Sequence, residues 1–75
     1  MTLAKEIVEV PISGKITTVE VKIGDSVKEG DTLCYIESMK MENAIMAPVS
    51  GKITDVKVNP AQVVDTGDVI AVIEY

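Results

Sequence analysis

The sequence of 75 residues contains no histidine, tryptophan or phenylalanine, and only one cysteine. Without histidine or a cysteine cluster, an ordinary transition-metal site cannot be assembled. Cys34 cannot form an internal disulfide, and between Leu33 and Tyr35 we expect a buried, inert thiol in a reducing compartment. The lack of Phe and Trp favours a small, tightly spaced β interior of aliphatic side chains.

The chain also lacks excess positive charge and long apolar runs. Its formal charge is −5, which argues against binding to nucleic-acid phosphates or to an anionic membrane surface. The longest continuous apolar run, residues 69–73, is too short to span a bilayer. The N-terminus has neither the basic nor the apolar region of a signal peptide. We therefore expect a soluble cytoplasmic protein, or an organellar one after removal of a targeting segment.

An internal repeat is the most informative feature that is present. The stretch Pro-Ile-Ser-Gly-Lys-Ile-Thr at 11–17 recurs as Pro-Val-Ser-Gly-Lys-Ile-Thr at 48–54. The same offset aligns further residues: Val19, Val21 and Val27 with Val56, Val58 and Val64, Gly30-Asp31 with Gly67-Asp68, and Ile36-Glu37 with Ile73-Glu74. The repeat predicts a single domain, residues 1–75, of two interlocked halves of roughly thirty residues with an approximate two-fold axis. Lys40 lies at the join.

Short alternating segments bounded by Gly and Pro predict β-strands, and no segment holds a helical period. The predicted strands are 5–10, 15–23, 32–38, 41–46, 52–59 and 69–74, with short extensions at 26–28 and near 63–64. This pattern favours an all-β sandwich or small barrel whose halves close each other's sheet edges. The glycines of the turns, predicted to have positive φ, are Gly14, Gly30, Gly51 and Gly67.

The join between the halves is predicted to be a hairpin with Met39-Lys40 at its tip. Two-residue hairpin turns favour Asn-Gly or Asp-Gly, because both positions need positive φ. A Met-Lys tip breaks that rule, and such departures are expected where a protein functions. An exposed, flexible lysine is a poor catalytic base but a good acceptor for an enzyme that supplies an activated acyl group.

Simpler interpretations of these residues stay open. Lys40 could be an ordinary solvated lysine, and Met39 and Met41 could fill the core. Glu37 and Glu42 could guide a partner enzyme, although the match of Glu37 with Glu74 also fits a solvated strand position. The sequence offers no nucleophile–base pair and no phosphate-binding loop, so a non-catalytic carrier is favoured over a free-standing enzyme.

At these residues the sequence resembles the biotinyl domain of biotin-dependent carboxylases, decarboxylases and transcarboxylases. The family motif Glu-(Ala/Ser)-Met-Lys-Met is intact as Glu37-Ser38-Met39-Lys40-Met41, and the likeness extends from about residue 7 to residue 74. The motif is followed by Glu42-Asn43, then by Ala47-Pro48 and Ser50-Gly51, as is common in the family.

The resemblance implies a barrel-sandwich hybrid, a flattened β-barrel of two four-stranded sheets. It implies biotin attached covalently to Lys40 by a biotin protein ligase, with Met39 and Met41 as flanking residues that favour correct processing and carboxyl transfer. The carrier would then shuttle a carboxyl group between a biotin carboxylase and a carboxyltransferase. The thumb insertion of some bacterial acetyl-CoA carboxylase carriers is missing between Val21 and Val27, so we expect a thumbless type. The Ala/Pro-rich linker that often precedes the domain is also missing, which suggests a free-standing subunit or an excised C-terminal domain.

Two rival functions share this fold. Lipoyl domains carry lipoate on the equivalent hairpin lysine but usually present Asp-Lys-Ala, whereas this chain has methionine on both sides of Lys40. The barrel-sandwich portion of a membrane-fusion adaptor would be an unmodified interaction module, but it usually has a coiled-coil hairpin inserted at this position.

Overall fold

The computed structural model describes residues 4–75, which form eight β-strands. The strands are β1 (Lys5–Glu9), β2 (Gly14–Val19), β3 (Ser26–Val27), β4 (Thr32–Ser38), β5 (Met41–Met46), β6 (Gly51–Val56), β7 (Val63–Val64) and β8 (Val69–Glu74). Residues 4–75 contain no helix that could cross a membrane.

The strands pair into two four-stranded antiparallel sheets, each built from both halves of the chain. One sheet has the order β1-β8-β6-β3 and the other β5-β4-β2-β7. Each sheet therefore holds two strands from each half. This confirms the all-β barrel-sandwich architecture of two four-stranded sheets.

The repeat is longer than the sequence comparison predicted. Pro11 and Pro48 are 37 positions apart, and the same offset relates all of β1–β4 to β5–β8. The sixteen buried core residues form eight pairs at this offset: Val8/Ile45, Val10/Ala47, Ile16/Ile53, Val21/Val58, Val27/Val64, Leu33/Ile70, Cys34/Ala71 and Ile36/Ile73. Both β1 and β5 were predicted as strands, but their equivalence within the repeat was missed because they share burial and almost no residue identities.

Reciprocal backbone hydrogen bonds lock each half onto the other. Gly30 N donates to Ala47 O at 2.9 Å, and Ala47 N donates to Asp31 O at 2.7 Å. The repeat equivalents make the same bonds, from Gly67 N to Val10 O and from Val10 N to Asp68 O. Buried peptide N–H and C=O groups need hydrogen-bond partners, and at these positions each half obtains those partners from the other half.

Two predicted strands are too long. The segment predicted at 15–23 ends at Val19, and the one predicted at 52–59 ends at Val56. After these points the chain crosses from one sheet to the other, because β2 and β3 lie in different sheets, as do β6 and β7. Val21 and Val58 still enter the core during the crossing. In these two segments, the alternation of apolar residues therefore indicates burial in the core but does not indicate pairing within a sheet.

The glycines have two different structural roles, only one of which was predicted. Gly30 and Gly67 have positive φ as expected, and so does Gly24. The prediction is wrong for Gly14 and Gly51, which are absent from the positive-φ residues and begin strands. A Cβ on Gly14 would collide with the Glu37 carbonyl oxygen and lie 2.7 Å from the Ile36 Cγ2 methyl. These glycines allow close approach of neighbouring strands.

The thiol of Cys34 is fully buried in the core. Burial raises its pKa to about 11, because the thiolate would lose its hydration. The predicted inert, buried cysteine is confirmed in this structural sense, since a thiol without thiolate character is a weak nucleophile.

A matched pair of substitutions tests the left-handed turns. Ala61 has φ of +72° at the position equivalent to Gly24, whose φ is +98°. A side chain at positive φ is strained by about 1–2 kcal/mol. We expect Ala61→Gly to raise the free energy of unfolding by up to about 1 kcal/mol and Gly24→Ala to lower it by about 1 kcal/mol. Urea denaturation measures both, and equal signs for the two changes would contradict the assignment.

The close approach at Gly14 gives a second stability prediction. We expect Gly14→Ala to lower the free energy of unfolding by roughly 1–3 kcal/mol, because the added methyl meets backbone that cannot move aside cheaply. Gly24→Ala adds the same methyl where no atom lies within 4 Å, so its loss comes from backbone strain alone and gives the baseline. We expect the loss for Gly14→Ala to exceed this baseline, and a loss no larger than the baseline would show that packing against Glu37 is not the reason for glycine at position 14.

Candidate functional site

The candidate site is the tight hairpin between β4 and β5. The two strands stay paired up to Ser38 and Met41, which leaves a two-residue turn at Met39-Lys40. The φ angles of these residues are +53° and +66°. Both values match the primed turn that normally requires Asn-Gly, so the predicted tip is present and both of its residues are strained.

The side chains at the tip project away from the protein. Met39 is 92% exposed and Met41 is 67% exposed, so neither fills the core. Lys40 is exposed as well, and within residues 4–75 its amine has no ion pair and no side-chain hydrogen bond; the one ion pair there joins Lys57 and Asp55. The amine is therefore accessible to another protein.

The base of the hairpin places two carboxylates next to each other. Glu37 on β4 lies directly opposite Glu42 on β5, and on its other side it lies opposite Lys15 on β2. Glu42 is held by Thr17, whose Oγ1 donates a 2.9 Å hydrogen bond to Glu42 Oε2. Like charges directly opposite one another destabilise a sheet, so this arrangement is unfavourable for folding alone. The predicted role of Glu37 and Glu42 in partner recognition stays a prediction.

A shallow cleft beside the tip contains a residue that sequence reasoning did not select. Its lining includes Met39, Glu37, Lys15 and Val63. Val63 lies on β7 opposite Lys15 and is 76% exposed, which is unusual for an aliphatic strand residue. The signal that could have found it is the repeat, because the equivalent position holds Ser26.

The arrangement provides an accessible amine on a rigid platform and little else. The hairpin strands are fixed by pairing over their whole length, whereas the lysine stem retains its freedom. Within residues 4–75, no side chain is placed to take a proton from Lys40 by a hydrogen bond. The tip can therefore serve as an acceptor for a group that another enzyme delivers.

Comparison with a protein-family model supports this arrangement. The model described as "Biotin-requiring enzyme", for biotin/lipoyl domains, matches residues 6–73 and therefore includes all eight strands except the first residue of β1 and the last residue of β8. Nearly the whole chain is thus covered.

Curated relatives are subunits of larger enzymes. The chain is 50% identical over 42 residues to the methylmalonyl-CoA decarboxylase subunit gamma of Veillonella parvula, covering 56% of this chain and 33% of the relative. It is 54% identical over 39 residues to the glutaconyl-CoA decarboxylase subunit gamma of Acidaminococcus fermentans, covering 52% and 27%. The propionyl-CoA carboxylase alpha chain of Ruegeria pomeroyi is 51% identical over 37 residues, covering 49% and 5%. The matched segments span a third or less of each relative.

Solved structures with the same fold are also parts of larger proteins. A single-chain, multi-domain long-chain acyl-CoA carboxylase matches 91% of this chain with a TM-score of 0.85 and 31% identity, over 7% of its own length. The urea carboxylase of Kluyveromyces lactis matches 93% of this chain with a TM-score of 0.86 and 31% identity, over 6% of its length. Together with the strained, exposed Lys40 hairpin, the match over residues 6–73 shows that the chain belongs to the biotin/lipoyl domain family of biotin-requiring enzymes.

Proposed function

We propose that this chain is a biotin carboxyl carrier and that biotin is attached to Lys40. The observation that carries the proposal is the two-residue turn that holds Met39 and Lys40 at φ of +53° and +66°. Glycine would fit either position without strain, so retention of a lysine there indicates a need for its amine. The decarboxylase and carboxylase subunits among the relatives support biotin over lipoate as the attached group.

The residues present fit a covalently attached group. The amine of Lys40 is exposed at the end of a four-carbon stem, and the two flanking methionines leave it sterically open. An amide formed there removes the positive charge of the lysine, and the charges of Glu37, Glu42 and Lys15 then remain beside the tip. Biotin, when bound, supplies a ring that accepts and gives up a carboxyl group.

The chain itself supplies a nucleophile and a platform. Attachment forms a bond between Lys40 Nζ and the carboxyl carbon of biotin. The activating group on that carbon leaves, and the amine loses a proton. Because no base contacts Lys40 within residues 4–75, we assign activation of the carboxyl group with ATP, and removal of the proton, to a biotin protein ligase. The domain is on this proposal non-catalytic.

The partners we propose are that ligase, a biotin carboxylase and a carboxyltransferase. A carrier that moves between two active sites works through effective concentration, because a tethered group meets each site without dissociating. The relatives act, by their names, on several different acyl-CoA substrates, so we propose the reaction class, transfer of a carboxyl group, and leave the acceptor open.

The direct test is enzymatic biotinylation. Incubated with biotin, ATP and a biotin protein ligase, the chain should gain a mass equal to biotin minus water, and peptide mapping should place it on Lys40. Lys40→Arg keeps the charge but cannot form this amide in the ligase site, so we expect no gain. A folded, initially unmodified chain that gained no mass, but accepted lipoate from a lipoate ligase, would favour the lipoyl alternative.

The strain at the tip predicts a trade between stability and function. Lys40→Gly removes a side chain from a residue whose backbone is in the left-handed region. We therefore expect the free energy of unfolding to rise by about 0.5–1 kcal/mol while biotin acceptance is lost. Lys40→Arg, with the same strain, should leave stability unchanged to within about 0.5 kcal/mol. Thermal or urea denaturation measures the stability of both variants against the wild-type chain. A stability loss for Lys40→Gly would contradict the view that position 40 sacrifices stability for its amine.

A further inference from the structure

The two-fold repeat provides an internal control for the surface beside Lys40. A row of four exposed residues crosses the outer face of the sheet just below the tip: Glu42, Glu37, Lys15 and Val63. We call this the tip row. The equivalent row on the other sheet, the counter row, is Lys5, Glu74, Lys52 and Ser26. The backbone environment is the same in both rows, so the fold alone makes similar demands on them.

The two rows agree at their centres and differ at both ends. Glu37 and Lys15 match Glu74 and Lys52, but Glu42 replaces a lysine and Val63 replaces a serine. In the counter row, opposite charges alternate, which is the favourable pattern for neighbouring strands. In the tip row, two carboxylates adjoin each other and an aliphatic side chain is exposed. Folding requirements explain the counter row, and they do not explain these two departures.

The departures lie on one continuous surface with the acceptor lysine. Val63 and Glu37 line the same cleft as Met39, which is the neighbour of Lys40 in the turn. Glu42 follows Met41 directly and is oriented by its hydrogen bond from Thr17. The surface thus combines exposed apolar groups with two carboxylates, a combination suited to a partner that has an apolar contact bordered by cations.

We infer that the tip row, through Glu42 and Val63, is the docking surface for the biotin protein ligase. This inference rests on the proposed biotinylation of Lys40. The ligase must draw the lysine amine itself into its active site, so its surface has to contact the residues immediately around the hairpin. Enzymes that act later meet the far end of the extended arm and have less need of this surface. The position of the tip row directly beside the Met39-Lys40 turn therefore favours the first enzyme as the occupant.

The test exchanges residues between the two rows. Glu42→Lys and Val63→Ser, singly and together, give the tip row the residues of the counter row. The matched controls Lys5→Glu and Ser26→Val make the reverse changes in the counter row, and all four positions are exposed. Initial rates of biotin incorporation, measured by intact mass over a range of domain concentrations, separate KM from kcat. Native-like circular dichroism and a single cooperative urea transition verify that each variant is folded.

We expect the double tip variant to raise KM about tenfold or more, with kcat within about twofold of wild type, because docking is weakened while Lys40 is untouched. The rise caused by Glu42→Lys should shrink at high salt, as expected for a screened charge interaction. Both controls should leave KM unchanged.

A KM within twofold of wild type for the folded double variant, or an equal rise in the controls, would overturn the inference. In either case biotinylation of the wild-type chain would leave the proposed function standing, whereas an unmodified wild-type chain would count against the proposed function itself.

Discussion

Mutual closure of the two halves is the constraint on which the rest of the structure depends. A half of this size has too little apolar area to form a stable core by itself, and its sheets would have open edges. The β4–β2 pair of the first half is flanked by β5 and β7, and the β8–β6 pair of the second half is flanked by β1 and β3, so both edges of each pair are covered by strands from the other half. Within residues 4–75, all sixteen core residues occur as repeat pairs, so each half supplies eight side chains at equivalent positions to one shared interior. Damage to the packing of one half therefore weakens the support of the other.

Because closure is symmetric, departures from symmetry are informative. At the tip, Ser38 and Met41 pair across a two-residue turn; at the equivalent place in the other half, Ala4 and Tyr75 exchange two backbone hydrogen bonds of 2.8 Å. The fold thus contains the same strand ends twice, and only one pair is joined by a strained loop that carries a lysine. The symmetric framework fixes the position of that loop, and beside it Glu42 and Val63 differ in charge and polarity from their equivalents Lys5 and Ser26.

The repeat preserved its glycine, proline and apolar positions, which was sufficient to predict an all-β sandwich or small barrel of two interlocked halves, whereas the two four-stranded sheets were implied by the resemblance to biotinyl domains. The hairpin tip at Met39-Lys40 followed from the same repeat, against the usual preference of such turns for Asn-Gly, and the structure confirms it. The strand ends at Val19 and Val56 could not be predicted. The segments that follow them cross between the two sheets, and residues in these segments can be as deeply buried as residues within a strand. The role of Gly14 was also hidden, because close approach to Glu37 is a long-range contact and positive φ is the more common reason for a turn glycine. Val63 was missed because an exposed valine in a strand becomes unusual only when it is compared with Ser26 in the paired structure.

Rigidity below the tip and freedom above it are both needed for a carrier. If the hairpin were flexible, a modifying enzyme would have to order the loop while binding it, and the loss of conformational entropy would weaken the complex. Here the strands are paired up to Ser38 and Met41, and Ile36 is fully buried beneath them, so the ordering has been completed by folding. The molecule measures 44 Å along its long axis but only 19 and 17 Å across, so its body is narrow. A fixed, narrow body with one mobile lysine can thus present that lysine to a modifying enzyme, and later the attached group to other enzymes, without having to refit its own surface to each.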